Sequence, residues 1–535
     1  MRDSRLRVKG RRARSSARGT ILPDSQSQEQ SAKKEAAPSS TPGSLTRTTV
    51  TGILWITGGR LVKTPVNLIV IAILARLLTP ADFGVVAIAY TVSGLATLLV
   101  DGSFGMVLVQ RREISSGVIG ASLLLSCLLG AAFGGVIVAA SAPLEQFFEF
   151  PELRDVLRVL GLALPVSAVA AVWMALLQRA SRFGVLTINS AVAQISYGIA
   201  AVLMALGGMG MWSLVWAQVI GSSIEAFLAF LAGRRGYAVS LDREALRDVL
   251  RSGGMFTLSK FFNWGAGNVD RVVIGRLLDA AALGFYSRAS TLMATAQQLI
   301  GTGAVRVLFS TFSRMQHDRE RLLKAFDRAL STAIIGSTLI SAFMILFADI
   351  IVHILLGDQW TAAVPLIQAL FAAFVCRSGY VVAEAVPLAL GLGKASAFRQ
   401  AAQFVLVIAG AAIGARFGVV GATIGVAAAY WLFYLLCLAL VQRLLAASFG
   451  RLLRIHLNGL LLAAFPVLAG MAARSLLAPA DHLALQLLPP AIFGLVAALT
   501  LSLAPRSLLS EDIARMREQA FAVIGRRLRG GRPGN

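Results

Sequence analysis

In the first long apolar stretch of this 535-residue chain, Arg60, Lys63, Thr64 and Asn67 follow i, i+3, i+4, i+7 spacing, which puts them on one face of a helix. A later stretch repeats the pattern with Lys260, Asn263, Gly267, Asn268 and Arg271. A charge at mid-bilayer costs roughly 2.5–3.5 kcal/mol on insertion scales, so each needs a partner or a water-filled cavity. Cationic, hydrogen-bonding faces of this kind suit an anion, above all a phosphate or pyrophosphate, through charge-assisted hydrogen bonds. The economical arrangement points both stripes into one cavity between two halves. Arg306 and Arg377 are further candidates for the same anion. Glu384, seven residues after Arg377 and on its face, and Asp101 are the candidate carboxylates for a coupling ion. Glu225, Arg158, Asp270 and Arg288 fall nearer helix ends, where snorkelling or local ion pairing accounts for them.

The elements that must hold these residues are membrane helices. Hydrophobic residues make up 56% of the chain and charged ones 14%, whereas a soluble chain carries about a quarter charged residues. Apolar runs near the ~20 residues needed to cross a bilayer recur throughout. Spans are predicted near 51–75, 83–109, 117–142, 156–177, 185–206, 211–232, 253–275, 283–311, 328–348, 363–389, 400–415, 418–441, 456–473 and 484–504. With the N-terminus cytoplasmic, the inner loops hold nineteen Lys/Arg and the outer loops five, namely Arg76, Arg154, Arg276, Arg416 and Arg474. The outer loop Pro143–Asp155 is acidic.

An internal repeat organises the spans. LARLLTPADFG at 74–84 lies 200 positions before IGRLLDAAALG at 274–284, so that Arg76, Leu77, Leu78, Ala81 and Gly84 fall on Arg276, Leu277, Leu278, Ala281 and Gly284. Each match sits at the same point of its half, which describes a parallel repeat of six spans. The expected fold is an all-α polytopic membrane protein of about fourteen helices. Residues 1–44 form a disordered basic cytoplasmic tail, 45–250 an N-lobe and 251–443 a C-lobe. Residues 444–504 add two spans and 505–535 a basic cytoplasmic tail. Spacings such as Gly130-xxx-Gly134 and Gly410-xxx-Gly414 mark close helix packing.

Other chemistries find no support. The net charge of +23 is concentrated in the tails and short loops, with no basic face interleaved with aromatics, so nucleic acid is not an expected partner. Cys127, Cys376 and Cys437 lie in apolar stretches without CxxC spacing, and the four histidines form no ligand cluster. There is no GxxxxGK[ST], GxSxG or HExxH, and GLGKA at 391–395 lacks the earlier glycine and the hydroxyl residue of a P-loop. Residues 1–44 have no apolar core of the kind a signal peptide needs.

The stretches ARLLTPADFG (75–84), VLVQRREI (107–114), LLQRASRF (176–183), GMWSLV (210–215), GRLLDAAALGFYSRA (275–289), RVLFSTFSRMQHD (306–318) and LLGDQWTAAVPLIQAL (355–370) carry a family resemblance. The chain resembles the polysaccharide-transporter branch of the multidrug/oligosaccharidyl-lipid/polysaccharide (MOP) flippase superfamily, the Wzx-type flippases. The resemblance implies two six-span lobes that open alternately to each side. It further implies an inner-membrane protein that moves undecaprenyl-pyrophosphate-linked repeat units outward for exopolysaccharide, capsule or O-antigen assembly. On that reading Arg60, Lys63, Lys260, Arg306 and Arg377 hold the diphosphate, and Asn67, Asn263 and Asn268 meet sugar hydroxyls. Alternating access is expected to be driven by an ion gradient, Na+ or H+, or by the membrane potential rather than ATP, and no cofactor is expected. Membrane lipids and polysaccharide polymerase or assembly proteins are the expected partners. A drug/cation antiporter of the same superfamily is disfavoured by the basic cavity, and a membrane glycan polymerase or ligase by the short outer loops. A non-transporting scaffold is the remaining alternative.

Overall fold

A computed structural model of the chain describes residues 42–101, 105–111, 113–234, 236–253, 257–301, 304–477, 483–505, 508–509, 513–515 and 517–519. The tail at 1–41 lies outside the described residues. So do the side chains of Arg60, Asp101, Lys260, Asn263 and Arg306, within helices whose backbone is described. By contacts the chain divides into residues 1–54 and 55–535. Of the first unit only the start of the first helix is described. The second holds the rest of that helix and every later one.

Among the described residues every regular element is helical. The N-lobe comprises α1 (Pro42–Leu77), α2 (Pro80–Asp101), α3 (Gly105–Gln110), α4 (Ser116–Phe148), α5 (Leu153–Arg179), α6 (Phe183–Leu206) and α7 (Trp212–Gly233). A short helix, α8 (Arg243–Gly253), leads to the C-lobe. That lobe comprises α9 (Thr257–Leu277), α10 (Ala280–Gly301), α11 (Ala304–Arg314), α12 (Arg319–Leu346), α13 (Ala348–Leu355), a 3-10 turn (Asp358–Ala363), α14 (Val364–Ala389), α15 (Gly393–Ala415) and α16 (Gly418–Leu445). The chain continues through α17 (Phe449–Leu477), α18 (Leu483–Gln486) and α19 (Leu488–Leu503). Among the described residues ten helices are long and apolar enough to cross a membrane, and α19 is a shorter apolar one.

Local sequence sets the ends. Thr79 and Asp82 form a reciprocal cap on α2, with the Thr79 hydroxyl donating to the Asp82 carboxylate at 2.7 Å and the Asp82 N–H to the Thr79 hydroxyl at 3.3 Å. Asp279, 200 residues after Thr79, accepts from the Ala282 N–H at 2.7 Å and starts α10 in the same way. Within the N-lobe α4 packs on α5, α6 on α7, and α5 on α7 and α2. Within the C-lobe α15 packs on α16 and α9, and α14 on α16, α12 and α10. Helix α17 lies on α12 and α19 on α17, outside the repeat.

The structure redraws several predicted spans. The span expected at 83–109 is helical over Pro80–Asp101 and Gly105–Gln110, and that at 283–311 over Ala280–Gly301 and Ala304–Arg314, with 102–104 and 302–303 outside the described residues. Helix α12 starts nine residues before the predicted 328, because Asp318 caps it by accepting from the Arg321 N–H at 3.0 Å. The acidic loop expected over Pro143–Asp155 shrinks to four residues, as α4 runs through Pro143 to Phe148 and α5 starts at Leu153. Helix α8 was not expected. It packs on α4 and buries Ala245 and Val249, with Asp248 paired to Arg111 just after α3 (2.7 Å) and the segment before it held by the Ser240 N–H to the Ser116 carbonyl (3.1 Å).

Candidate functional site

The two lobes meet through α2 against α9 and α10. The contact sits at the end of the bundle that carries the turns after α1 and α9, termed the acidic end. Its geometry is reciprocal. A Cβ built on Gly84 would overlap the Ala280 carbonyl oxygen, and one built on Gly284 would overlap the Pro80 carbonyl oxygen. Each repeat thus places its glycine against the first turn of the other, as an isologous interface does between identical subunits.

Around this crossing the lobes cap each other's helices. Trp360 of the C-lobe is fully buried and donates its indole N–H to the Ala75 carbonyl at 2.8 Å. Gln359 donates to the carbonyls of Ala75 and of Leu78, the latter at 3.2 Å. Together they satisfy carbonyls left over at the end of α1. Phe83 and Phe285 meet the Trp360 ring edge-on at 5.3 and 5.7 Å, one from each lobe. The repeated arginines also reach across, Arg76 to the Ile354 carbonyl at 2.9 Å and Arg276 to Glu149 at 3.2 Å.

Below the crossing lies a belt of arginines and tyrosines. Arg288 on α10 stacks on Phe83 of α2, 4.5 Å from the ring centroid, and its electrostatic neighbours are Tyr197, Tyr90 and Arg271. Arg271 on α9 donates to the Asn268 side-chain oxygen at 2.9 Å and to the Ser290 hydroxyl at 3.3 Å. Asp270 accepts from the Tyr286 hydroxyl at 2.5 Å and from the Arg271 backbone N–H at 2.9 Å. Arg377 on α14 lies over Tyr430 of α16 at 4.8 Å, and Tyr430 neighbours Asp270 and Arg271. The Nε–H groups of Arg271 and Arg288 are buried with no hydrogen-bond partner among the described residues. Three guanidinium groups against one engaged carboxylate make the belt net positive. Buried N–H donors without acceptors are costly, and an anion placed there would supply what they lack.

A second polar centre lies inside the N-lobe. A cavity of about 380 Å³ between α1, α6 and α7 is lined by Lys63, Asn67, Ser190, Gln194, Tyr197 and Glu225, among others. Ser190 donates to Glu225 at 2.9 Å and Gln194 to Asn67 at 3.3 Å. The described lining comes wholly from these three helices.

The sequence-predicted residues therefore part company. Asn268 and Arg377 join the belt, whereas Lys63 and Asn67 line the N-lobe cavity. Glu384 is buried and paired with Arg399 at 2.8 Å, with Ser396 donating to its other oxygen. The side chains of Arg60, Lys260, Asn263, Arg306 and Asp101 lie outside the described residues. Arg288 and Asp270, read from sequence as end-proximal, sit in the belt, and Glu225 faces a cavity. Arg271 was legible, since it completes the second polar stripe. Arg288 stands alone on α10, and only the approach of α2 shows its place.

This fold is shared with proteins of the MOP superfamily. The structure matches the lipid II flippase MurJ in its inward closed conformation with a TM-score of 0.68 at 14% identity, over 85% of this chain and 99% of that one. It matches an inward-facing multidrug resistance MATE family transporter of the MOP superfamily with a TM-score of 0.57 at 18% identity, over 73% and 99%. Residues 73–365 match the family model described as polysaccharide biosynthesis protein, and the chain belongs to that family. It is 30% identical over 317 residues to the succinoglycan biosynthesis transport protein ExoT of Rhizobium meliloti (strain 1021), covering 56% of this chain and 61% of that protein. It is 24% identical over 342 residues to the lipopolysaccharide biosynthesis protein WzxC of Escherichia coli (strain K12), covering 63% and 68%. With its long apolar helices the chain is a multi-pass membrane protein of that family, and it spans 61% of the length of ExoT and 68% of that of WzxC.

Proposed function

We propose that the chain flips an undecaprenyl-pyrophosphate-linked oligosaccharide across a bacterial inner membrane, both termini cytoplasmic, for export as exopolysaccharide, capsule or O-antigen. The observation that carries this reading is the pair of buried guanidinium Nε–H groups of Arg271 and Arg288, without partners among the described residues, beside the lobe crossing. Guanidinium groups bind phosphate oxygens through paired charge-assisted hydrogen bonds. The aromatic rings of Tyr90, Tyr197 and Tyr430 beside them offer apolar faces for the sugar next to the diphosphate. Arg377 and Asn268 extend the same surface, and Arg60, Lys260, Asn263 and Arg306 are proposed to continue it. Residues 45–250 move against 251–443 in alternating access without ATP, handing the product to a polymerase. The Gly84/Gly284 crossing supports a state closed at the acidic end, with the substrate entering from the opposite end, where the Lys/Arg-rich loops lie.

The test is transport of a fluorescent undecaprenyl-pyrophosphate oligosaccharide by the full chain in proteoliposomes. Arg271→Ala with Arg288→Ala should lower the flipping rate at least about 100-fold, two lost charge-assisted contacts at 1.5–3 kcal/mol each. Arg288→Lys should not restore it, because an ammonium cannot form the planar fork. Wild-type rates in the double variant would refute the assignment.

A further inference from the structure

The three guanidinium groups of the belt all belong to the C-lobe, Arg271 on α9, Arg288 on α10 and Arg377 on α14. The polar cavity of the N-lobe is of another kind. Its lining includes the amides of Asn67, Gln194 and Gln218, the Ser222 hydroxyl and one charge of each sign, Lys63 and Glu225. Gln218 stands in the second turn of α7, a membrane-spanning helix, and its amide makes no hydrogen bond among the described residues. Such a group needs water or a ligand that can both donate and accept. A second cavity of about 580 Å³ shares Gln218, Ser222 and Glu225 with the first and runs on between α5, α6 and α7 to Gln178. Spaces of about 380 and 580 Å³ fall within the ~300–1,000 Å³ of small-ligand pockets. Tyr197 lines the first cavity and is an electrostatic neighbour of Arg288, so the cavity begins where the belt ends.

From this placement we propose that the N-lobe cavity is a saccharide subsite, which takes a neutral, hydroxyl-rich sugar of the lipid-linked substrate while the C-lobe belt holds the diphosphate. The inference rests on the flippase reading above and names the class of sugar that it carries. Amide side chains donate and accept at once, as neighbouring sugar hydroxyls do, and a carboxylate accepts from two hydroxyls together. Gln194 is already turned by its hydrogen bond to Asn67 at 3.3 Å, and the Glu225 carboxylate by the one it accepts from Ser190 at 2.9 Å. Lys63 and Glu225 leave the described lining of both cavities in charge balance. A uronic acid would set a second carboxylate beside Glu225, and an amino sugar a second ammonium beside Lys63, each at a Coulombic cost that a neutral sugar avoids. The bound substrate then spans the lobes, its diphosphate on one and its sugar on the other. A carrier stripped of its sugar reaches the belt alone and cannot draw the lobes together, so the arrangement discriminates against the spent lipid.

Three probes test this on the full chain in phosphatidylethanolamine/phosphatidylglycerol nanodiscs. They are undecaprenyl pyrophosphate, the same lipid bearing a glucose disaccharide, and the lipid bearing a glucose–glucuronic acid disaccharide. The neutral glycolipid should bind at least about 10-fold more tightly than the bare lipid, as two or more net hydrogen bonds allow, and more tightly than the acidic one. Gln194→Leu with Gln218→Leu should remove that advantage. Ser222→Leu, which fills the space common to both cavities, should remove it as well and serves if the double variant does not fold. With C127A, C376A and C437A and spin labels at R154C and L277C, both exposed at the acidic end, the neutral glycolipid should shift the interlobe distance distribution and the bare lipid should not. Equal affinities for the bare and neutral probes, an advantage that survives these substitutions, preference for the acidic probe, or an equal shift with bare lipid would each overturn the proposal. The belt is read separately, because Arg271→Ala with Arg288→Ala should weaken binding of the bare lipid itself. If it does not, while the Gln218-dependent advantage persists, the diphosphate assignment fails and the saccharide subsite stands.

Discussion

The two lobes share a topology and treat their polar residues in opposite ways. In the N-lobe, Lys63 and Glu225 face each other across open space. In the C-lobe, Glu384 is locked to Arg399 and Ser396, and Asp270 to Tyr286 and the Arg271 backbone. Close packing between α15 and α16 accompanies this. Gly410 and Gly414 lie against the Gly425 and Gly421 backbones so closely that a Cβ at any of the four would meet a carbonyl oxygen. Between the N-lobe counterparts α6 and α7 the contact is looser, with Gly221 facing Tyr197 and Ala193 and a cavity beside them. One lobe engages its carboxylates among close-packed helices, and the other leaves Lys63 and Glu225 lining a cavity.

The comparison can be broken first at Glu384. Glu384→Ala leaves Arg399 uncompensated in a buried site and should cost about 3–5 kcal/mol. Thermal unfolding in detergent would report it, whereas Glu225→Gln should barely move the same midpoint. Equal losses in the two variants would end the distinction between a structural and an accessible carboxylate. A smaller effect is expected at the crossing. Gly84→Ala and Gly284→Ala should each cost about 1–3 kcal/mol of the closed state by overpacking. The two should match, because the contact is reciprocal, and distances between labels at R154C and L277C would show both opening the acidic end. An effect from one alone would show that the repeat is not mechanically symmetric.

The smallest effect concerns the docking of α8 on the N-lobe. The hydrogen bond from Arg111 holds the Asp248 carboxyl below its usual value. A lowered folded-state value gives a contribution that is full above the ordinary carboxylate range and lost as pH falls through the folded value. The mobility of a spin label on L250C, an exposed position of α8, should therefore rise only below about pH 4. Asp248→Asn should make it pH-independent.

Much of the architecture was legible because the bilayer leaves few options. Backbone groups must pair within each span, so hydropathy marks the helices, and loop charge predicts their direction. The 200-residue register was readable in Arg76/Arg276 and Gly84/Gly284, since a repeated contact demands repeated residues. The glycine spacings at 130–134 and 410–414 proved to be close helix contacts for the same reason, a backbone approach that tolerates no side chain. Helix α8 was missed because its eleven residues are polar on one face and too short for a span.

The site was legible only in part. By itself the sequence determined that cationic and amide side chains line certain helix faces, because i, i+3, i+4 spacing is a property of the helix alone. It also determined the class of ligand those faces suit. Which face meets which neighbour is a matter of helix rotation and packing, and only the tertiary structure decided that Lys63 faces Glu225 within a lobe, that Arg288 joins Arg271 beside Phe83, and that Glu384 is spent on Arg399. Those pairings join residues from 15 to more than 200 positions apart, and no local periodicity encodes such distances.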